Sequence, residues 1–425
     1  MQKLEGSLVE NSRGMHAERS RSIPELRFSE YGGKWERIKL GKITLLITGA
    51  TPSTMNGDYW GGTIRWMNSG ELNLKRVYEV ENRITEKGLK HSSTKLIPKH
   101  SVLIGLAGQG KTRGTVAMNM VELCTNQSIA AILPAENIYN SDFLYHNLDG
   151  RYDELRKLST GEGGRGGLNL QILKSLPINL PTLPEQQKIA NFFTAIDQKI
   201  SQLKRKKTLL EQYKKGVMQK IFSQQIRFKP ALSEVEGDDG KEFPDWELRR
   251  LGEVFQEFRK ASTLNNQYEV LTSSNKGLLL QKDYYGDNRI TERENKGFNV
   301  IPEGFITYRS RSDNGIFTFN MNNLGLTGVI STYYPVFTAI DGDNKFFVEF
   351  LNYHWKIISV FSVGTSQKVF PFTAFNQTIL GIPSKEEQTK IANFLSAIDN
   401  KIQHTQKQIE RAEQWKKGLM QKMFV

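Results

Sequence analysis

Several strings in this sequence carry residue types and spacings that could do chemistry. Gly105-Leu106-Ala107-Gly108-Gln109-Gly110-Lys111-Thr112 fits GxxxxGK[ST], in which glycine amides cradle phosphates and the lysine neutralises them. Such a loop must lead into a helix whose N-terminus holds phosphate. Here Arg113-Gly114-Thr115-Val116-Ala117 follows, with a further glycine and a β-branched pair, and the corresponding Arg309-Ser310-Arg311-Ser312-Asp313-Asn314-Gly315 has no phosphate-loop character. Nucleotide hydrolysis at Gly105–Thr112 therefore ranks below a flexible basic loop that hydrogen-bonds DNA, where Arg or Lys reads guanine and Gln or Asn reads adenine. A plain hairpin turn is a third reading, and all three stay open on the residues alone.

Other strings are weaker. Gly161-Glu162-Gly163-Gly164-Arg165-Gly166 matches GxGxxG, but the dinucleotide version needs a preceding strand, and Glu154–Leu158 reads as helix. A mobile glycine loop presenting Arg165 to a ligand fits better, with Gly364-Thr365-Ser366-Gln367-Lys368 as its counterpart. Asp197-Gln198-Lys199, Asp399-Asn400-Lys401 and Asp343-Asn344-Lys345 each show the D-x-K of nucleases. Residues i and i+2 of a helix do not converge on a metal, so surface charge accounts for them better. No Asp-Pro-Pro-Tyr or Asn-Pro-Pro-Tyr string of amino-methyltransferases occurs, and no Ser/His/Asp or Cys/His arrangement can be argued. Cys124 stands alone, which rules out an intramolecular disulfide and fits a reducing cytoplasm. Six scattered histidines without a cysteine pair argue against structural zinc.

The elements that must position these loops are set by a repeat. PTLPEQQKIANFFTAIDQKISQLKRKKTLLEQYKKGVMQKIF runs from Pro181 to Phe222, and PSKEEQTKIANFLSAIDNKIQHTQKQIERAEQWKKGLMQKMF from Pro383 to Phe424, at a constant offset of 202 residues. A domain-sized period predicts two modules, each ending in one long helix. Thr182 with Glu185 and Ser384 with Glu387 fit capping boxes. A 4-3 seam follows in each copy: Ile189, Phe193, Ile196, Ile200, Leu203, Lys207, Leu210, Lys214, Val217, Ile221, and Ile391, Leu395, Ile398, Ile402, Thr405, Ile409, Ala412, Lys416, Leu419, Met423. This pattern predicts a coiled coil, with the other copy as the simplest partner. Antiparallel pairing would put the modules at opposite ends of a rod. Residues 189–221 span roughly 50 Å at about 1.5 Å per residue, enough to separate DNA half-sites about 34–36 Å apart. A self-contained helical hairpin or dimerisation element is the plainer reading. Gly216 and Gly418 are expected to fray or bend the helix ends.

Weaker similarity extends into the modules. Trp35-Glu36-Arg37-Ile38-Lys39-Leu40-Gly41 parallels Trp246-Glu247-Leu248-Arg249-Arg250-Leu251-Gly252, and Asn-Arg-Ile-Thr-Glu occurs at 82–86 and 288–292. Short β-branched and aromatic runs between Gly and Asn turns predict a sheet with flanking helices, one of them over 142–158. The length of 425 residues suffices for two cores. No apolar run reaches the length of a membrane span, and the N-terminus has no apolar signal region. The net charge is +13. Residues 184–222 hold nine Lys/Arg against three Asp/Glu, and residues 384–424 hold eight against five. That surplus suits a polyanion or, equally, a solvated helix surface.

Pro-Glu-Gln-Gln-Lys-Ile-Ala-Asn-Phe-Phe at 184–193 and Glu-Glu-Gln-Thr-Lys-Ile-Ala-Asn-Phe-Leu at 386–395, each followed by Ala-Ile-Asp-x-Lys-Ile, closely resemble the conserved regions of type I restriction–modification specificity subunits. The paired Trp-x-x-x-x-Leu-Gly module starts strengthen the resemblance, which covers the chain from about Pro24 onward. It implies an α+β fold: two mixed α/β target-recognition domains separated by two long helices in an antiparallel coiled coil with pseudo-two-fold symmetry. The expected organisation is a disordered extension (1–24), recognition domain 1 (25–180), helical region 1 (181–222), a linker (223–244), recognition domain 2 (245–382) and helical region 2 (383–425). The resemblance further implies a non-catalytic chain that binds double-stranded DNA, each domain reading one half of a bipartite gapped site. The helices would set the spacing and dock methyltransferase subunits, expected as two, and restriction subunits through them. S-adenosylmethionine, ATP and magnesium would bind those partners; no cofactor or metal is expected on this chain. The expected DNA contacts are Asn68, Ser69, Gln109, Lys111, Arg113 and Arg165 in the first module. In the second they are Ser273, Ser274, Asn275, Lys276, Tyr308, Arg309, Arg311, Gln367 and Lys368. The helix-pairing residues are Ile189, Phe193, Ile196, Ile200, Ile391, Leu395, Ile398 and Ile402. The alternatives are a phosphate-loop NTPase and a non-catalytic coiled-coil scaffold.

Overall fold

The computed structural model describes residues 8–10, 23–108, 112–158, 167–230, 242–286 and 294–424. The chain divides into two compact units, residues 1–204 with 407–425, and residues 205–406. The division cuts both long helices, Leu183–Phe222 and Lys385–Met423, so each unit holds one globular module and one half of each helix.

In the first unit the module opens on Glu36–Lys39 and closes on Pro177–Leu180. These strands pair antiparallel, Glu36 opposite Leu180 and Lys39 opposite Pro177. Between them lies a five-stranded sheet in the order Leu46–Thr48, Ile129–Ile132, Val102–Gly105, Val116–Asn119, Arg76–Val77. Its three central strands are buried on both faces. The two-residue period sorts their side chains. Val102, Ile104, Val116, Met118, Ala130 and Ile132 pack with Leu144, Tyr145 and Leu148 of the helix Ser141–Gly150. Leu103, Ala117, Ile129 and Ala131 pack with Met67 and Leu72 on the other side. The helix expected over 142–158 is two helices, Ser141–Gly150 and Tyr152–Leu158. The first Asn-Arg-Ile-Thr-Glu string forms the strand Asn82–Ile84 and the Thr85 cap of the helix Glu86–Lys90; the copy at 288–292 lies outside the described residues. Leu8–Glu10 pairs antiparallel with Leu26–Phe28, so part of the expected disordered extension is a strand; 1–7 and 11–22 lie outside the described residues.

In the second unit Glu247–Arg250 pairs with Ile379–Ile382 in the same closing arrangement. Two four-stranded sheets follow. One runs Phe255–Glu257, Val336–Ala339, Ile306–Tyr308, Phe319–Met321; the other runs Gly277–Leu280, Glu269–Ser274, Gly328–Ile330, Asn299–Ile301. The core here is aromatic, with Phe255, Phe319, Phe337, Phe347 and Phe375 fully or almost fully buried, together with the helix Asn344–Tyr353.

The long helices pair within each unit. In the first, Ile189, Phe193, Ile196 and Ile200 pack with Leu419, Met420 and Met423. Phe193 stacks on Phe424 at 5.4 Å between ring centres, and Lys204 pairs with Glu413 at 2.6 Å, so partner numbers fall as the first helix rises. In the second, Ile391, Leu395 and Ile398 pack with Ile221 and Phe222, and Ile402 and Val217 lie against the same cluster. Arg227 pairs with Glu387 and Lys214 with Asp399, the same antiparallel sense. Gly216 and Gly418 do not end their helices, which continue to Phe222 and Met423.

Candidate nucleic-acid interface

The repeated helix starts dock the modules. Gln186 Nε2 donates to Pro181 O at 2.9 Å while its Oε1 accepts from the Asn140 amide at 2.8 Å. Gln388 does the same 202 residues on, to Pro383 O at 2.9 Å and from the Asp343 amide at 3.1 Å. Asn140 and Asp343 are the caps of the two buried module helices, Ser141–Gly150 and Asn344–Tyr353. One glutamine thus ties the corner before each long helix to the helix of its module. The expected capping boxes are only half realised: the Ser384 hydroxyl accepts from the Glu387 amide at 3.4 Å, but the carboxylates of Glu185 and Glu387 turn to arginines. Arg27 Nε and Nη2 each donate to Glu185 at 2.7 Å, with both side chains buried. Glu387, 1 % exposed, accepts from Arg227 at 2.8 and 3.2 Å and from Trp246 Nε1 at 3.1 Å. A bidentate arginine is the stronger partner for a buried carboxylate, so it wins over the helix start.

A second duplicated device lies along the helix pair. Lys416 meets Asp197 at 2.7 Å and Asp149 at 3.8 Å. Lys214 meets Asp399 at 2.9 Å and Glu349 at 2.8 Å. The D-x-K aspartates are therefore not free surface charge: Asp197 and Asp399 hold the opposite helix, and Asp343 Oδ1 caps its helix by accepting from the Lys345 and Phe346 amides. Burial opposes the charge of Lys214, but Glu349 and Asp399 outweigh it and raise its affinity for the proton. In the first unit His146 is fully buried, its Nε2 3.3 Å from Thr194 Oγ1. Burial first, then Lys416 and Arg76, push its proton affinity well below the ordinary histidine range, so the ring is neutral. Among the described residues no cluster of His, Cys, Asp and Glu could hold a metal ion.

The candidate reader surface is best assembled in the second module. Arg311–Ser312 pairs antiparallel with Lys368–Val369, which joins the loop after Tyr308 to the glycine loop. Arg309, Arg311 and Gln367 are exposed; Gln367 Nε2 donates to Asp313 at 3.1 Å. The Arg311 guanidinium lies 4.2 Å over the Tyr333 ring, whose position the Ser310 hydroxyl fixes by donating to Tyr333 O. Tyr333 was not foreseen; its own sequence context carries no signal. A stacked guanidinium keeps its planar donor edge free for a base or phosphate. Asn275 and Lys276 are the exposed turn between Glu269–Ser274 and Gly277–Leu280. Ser274 Oγ braces that turn by donating to Gly277 O at 3.0 Å, and buried Ser273 accepts from Asn320 Nδ2 at 2.8 Å. Tyr308 is a correction. It is 0 % exposed, donates to Phe370 O at 3.0 Å and packs among Phe319, Phe337 and Phe375, so it is core and not a DNA contact.

In the first module Asn68 caps the turn Ser69–Leu74, accepting from the Gly70 amide, while Glu71 reaches back to the Asn68 amide at 2.9 Å. Ser69 is half-buried at its start, and Arg113 is half-buried in the connection before Val116–Asn119. Gln109, Lys111 and Arg165 lie outside the described residues. The phosphate-loop reading of Gly105–Thr112 is overturned. Val102–Gly105 pairs antiparallel with Val116–Asn119, and the Gly114 amide donates to Gly105 O at 2.9 Å. The string joins two strands of a hairpin and leads into no helix, so no helix N-terminus is available for phosphate.

The model of the type I restriction modification DNA specificity domain family matches this chain twice, over residues 32–212 and 244–414. The MjaIX specificity subunit of a type I restriction enzyme from Methanocaldococcus jannaschii is 32% identical over 230 residues, 52% of this chain and 52% of the relative. The EcoR124I/EcoR124II specificity subunit from Escherichia coli is 30% identical over 175 residues, 40% of this chain and 43% of the relative. The chain thus spans about half the length of these two relatives. The M. jannaschii MjaVIII specificity subunit is 22% identical over 97% of this chain and 94% of its own length. In fold, the chain is similar to the crystal structure of a type I restriction–modification S subunit from M. genitalium, with a TM-score of 0.56, 15% identity, and 95% and 99% of the two chains covered. Two family matches, one per module and together more than half the sequence, on two copies of one helix-docking arrangement, mean that the chain belongs to the type I restriction modification DNA specificity domain family.

Proposed function

We propose that this chain is the sequence-specific DNA-binding specificity subunit of a type I restriction–modification complex. Residues 25–180 and 245–382 act as two target-recognition domains, each reading one half of a bipartite gapped site in double-stranded DNA. Residues 181–222 and 383–425 set the spacing and dock two methyltransferase subunits, with restriction subunits joining through them. The chain itself is non-catalytic and works in the cytoplasm; S-adenosylmethionine, ATP and magnesium are held by the partners. The observation that carries this reading is the duplication itself: both modules hang on the same glutamine and lysine–aspartate contacts, while their candidate reader loops differ. One frame with two unlike loop sets suits two half-sites of different sequence. In the second module Arg309, Arg311, Gln367, Lys368, Asn275 and Lys276 carry the contact, with Ser273 and Ser274 bracing the turn. In the first, Asn68, Ser69, Arg113, Gln109, Lys111 and Arg165 do so. Methylation sequencing of DNA modified by this chain with its methyltransferase is the test. The expected result is a two-part motif with an unread gap; an uninterrupted motif, or none, would overturn the reading.

A further inference from the structure

The two modules share one exposed loop that their differing readers do not explain. Ser53-Thr54-Met55-Asn56-Gly57-Asp58-Tyr59 and Ser262-Thr263-Leu264-Asn265-Asn266-Gln267-Tyr268 stand at a constant offset of 209 residues and keep Ser, Thr, Asn and Tyr in place. Each loop precedes the equivalent strand of its module, Trp60–Met67 or Glu269–Ser274. Each carries an apolar side chain at its tip, Met55 at 95 % exposure and Leu264 at 66 %. Neither tip is a floppy excursion. Trp60 Nε1 donates to Ser53 O at 3.1 Å and the Tyr59 amide to Asn56 O at 3.1 Å. Gln267 Oε1 accepts from the Thr263 and Leu264 amides at 2.7 and 3.4 Å, and Asn295 is tied to both Asn265 and Asn266. An apolar anchor on a braced loop loses little freedom on binding.

We infer that these two loops are matching docking points for one protein partner bound in two copies, the methyltransferase subunit, with Met55 and Leu264 as its apolar anchors. The inference rests on the specificity-subunit reading above. Three observations select this occupant. A loop kept the same in two modules that otherwise read differently must serve something common to both. The loops carry no cation; their one charged side chain, Asp58, is held by Lys87 at 2.6 Å, so they are ill suited to a phosphate backbone. They also lie at the far ends of their strands from the turns Asn68–Ser69 and Asn275–Lys276. Trp60–Met67 runs about 23 Å before Asn68 and Ser69, and Glu269–Ser274 about 17 Å before Asn275 and Lys276, at about 3.3 Å per residue. Methionine in particular is enriched where proteins meet.

The test uses the full chain with its cognate methyltransferase polypeptide. Amide hydrogen exchange is followed at 53–59 and 262–268 on adding that polypeptide, and separately on adding a duplex that carries the recognised site. Met55→Ser, Leu264→Ser and the double variant are then assayed for subunit stoichiometry and DNA affinity. The expected result is protection of both loops by the polypeptide and not by the duplex. Each single variant should weaken one of the two binding events at least tenfold, with DNA affinity unchanged. Protection by the duplex, with DNA affinity lost in the double variant, would make the tips wedges into DNA and overturn the inference. Full assembly of the wild type with neither loop protected would overturn the loop assignment alone. A wild-type chain that takes up no methyltransferase would overturn both this inference and the function it rests on.

Discussion

The two lysine-centred clusters are the same device built with one different residue. Lys416 with Asp197 and Lys214 with Asp399 are related by the 202-residue offset. The third member comes from the module helix, and there the units part. Counted from the caps Asn140 and Asp343, His146 and Glu349 occupy the same helical position. In the second unit Glu349 reaches Lys214 directly. In the first a neutral histidine stands there, and the acid sits three residues on as Asp149, which Lys75 also holds at 2.7 Å. The contact between long helices is thus kept by the repeat, whereas the module side tolerates change provided one carboxylate stays within reach of the lysine. The arginine anchors differ in a parallel way. Among the described residues Arg27 alone serves buried Glu185, while Glu387 has both Arg227 and the Trp246 indole.

The largest effect expected from this comparison comes from the less supported glutamate. Arg27→Met should destabilise by about 3–5 kcal/mol, because it strands a buried carboxylate. Arg227→Met should cost about half as much, since Trp246 Nε1 still donates; urea unfolding of both variants checks the ordering, and equal losses would break it. Next come Lys214→Met, which leaves Asp399 and Glu349 facing without their cation, and Lys416→Met, which strands Asp197 while Asp149 keeps Lys75. Both should lose about 2 kcal/mol, and adding Asp399→Asn or Asp197→Asn respectively should restore part of it. A smaller, directional effect is expected at the readers. Arg309→Ala or Arg311→Ala should weaken discrimination by about 1–2 kcal/mol in one half-site only, read as methylation at single-base variants of each half. Loss in both halves would show that the modules do not read separately.

The smallest effect is a pH dependence. His354, packed on Phe350 with ring centres 4.5 Å apart, is pushed down to about 4 by burial. Its folded value lies below the ordinary 6.5, so the unfolded chain takes up the proton first as pH falls. Stability present above about 6.5 is then lost progressively toward 4, by about 1 kcal/mol at pH 5.5 after allowance for its partial exposure. Thermal melts at pH 7.0 and 5.5 should differ less in His354→Asn than in the parent chain.

The sequence made the long helices legible because their seam repeats without a gap, and the residues of the two copies are nearly the same. It hid what those copies hold. Arg27 and Arg227 lie outside the gapless repeat, so nothing local linked them to Glu185 and Glu387. Gln186 and Gln388 were in view as repeat residues, but a glutamine carries no hint that it bridges a corner and a helix cap. The central sheet strands were hard to assign to faces because all their residues are buried, which erases the alternation that marks a half-exposed strand. Tyr308 misled for the same reason: its hydroxyl suggested a reader, and only the fold supplies Phe370 O as its partner. The phosphate-loop string failed on topology, since the same glycines that suit a phosphate cradle also suit a tight reversal between antiparallel strands.

The pairing of Glu36–Lys39 with Pro177–Leu180, and of Glu247–Arg250 with Ile379–Ile382, has a consequence for how such a chain can change. Both ends of each module leave through one two-stranded seam, side by side. A module is therefore a plug with a standard fitting. Its loops can lengthen or shorten while the helical frame still meets the same four-pair seam and the same docking helix of the module.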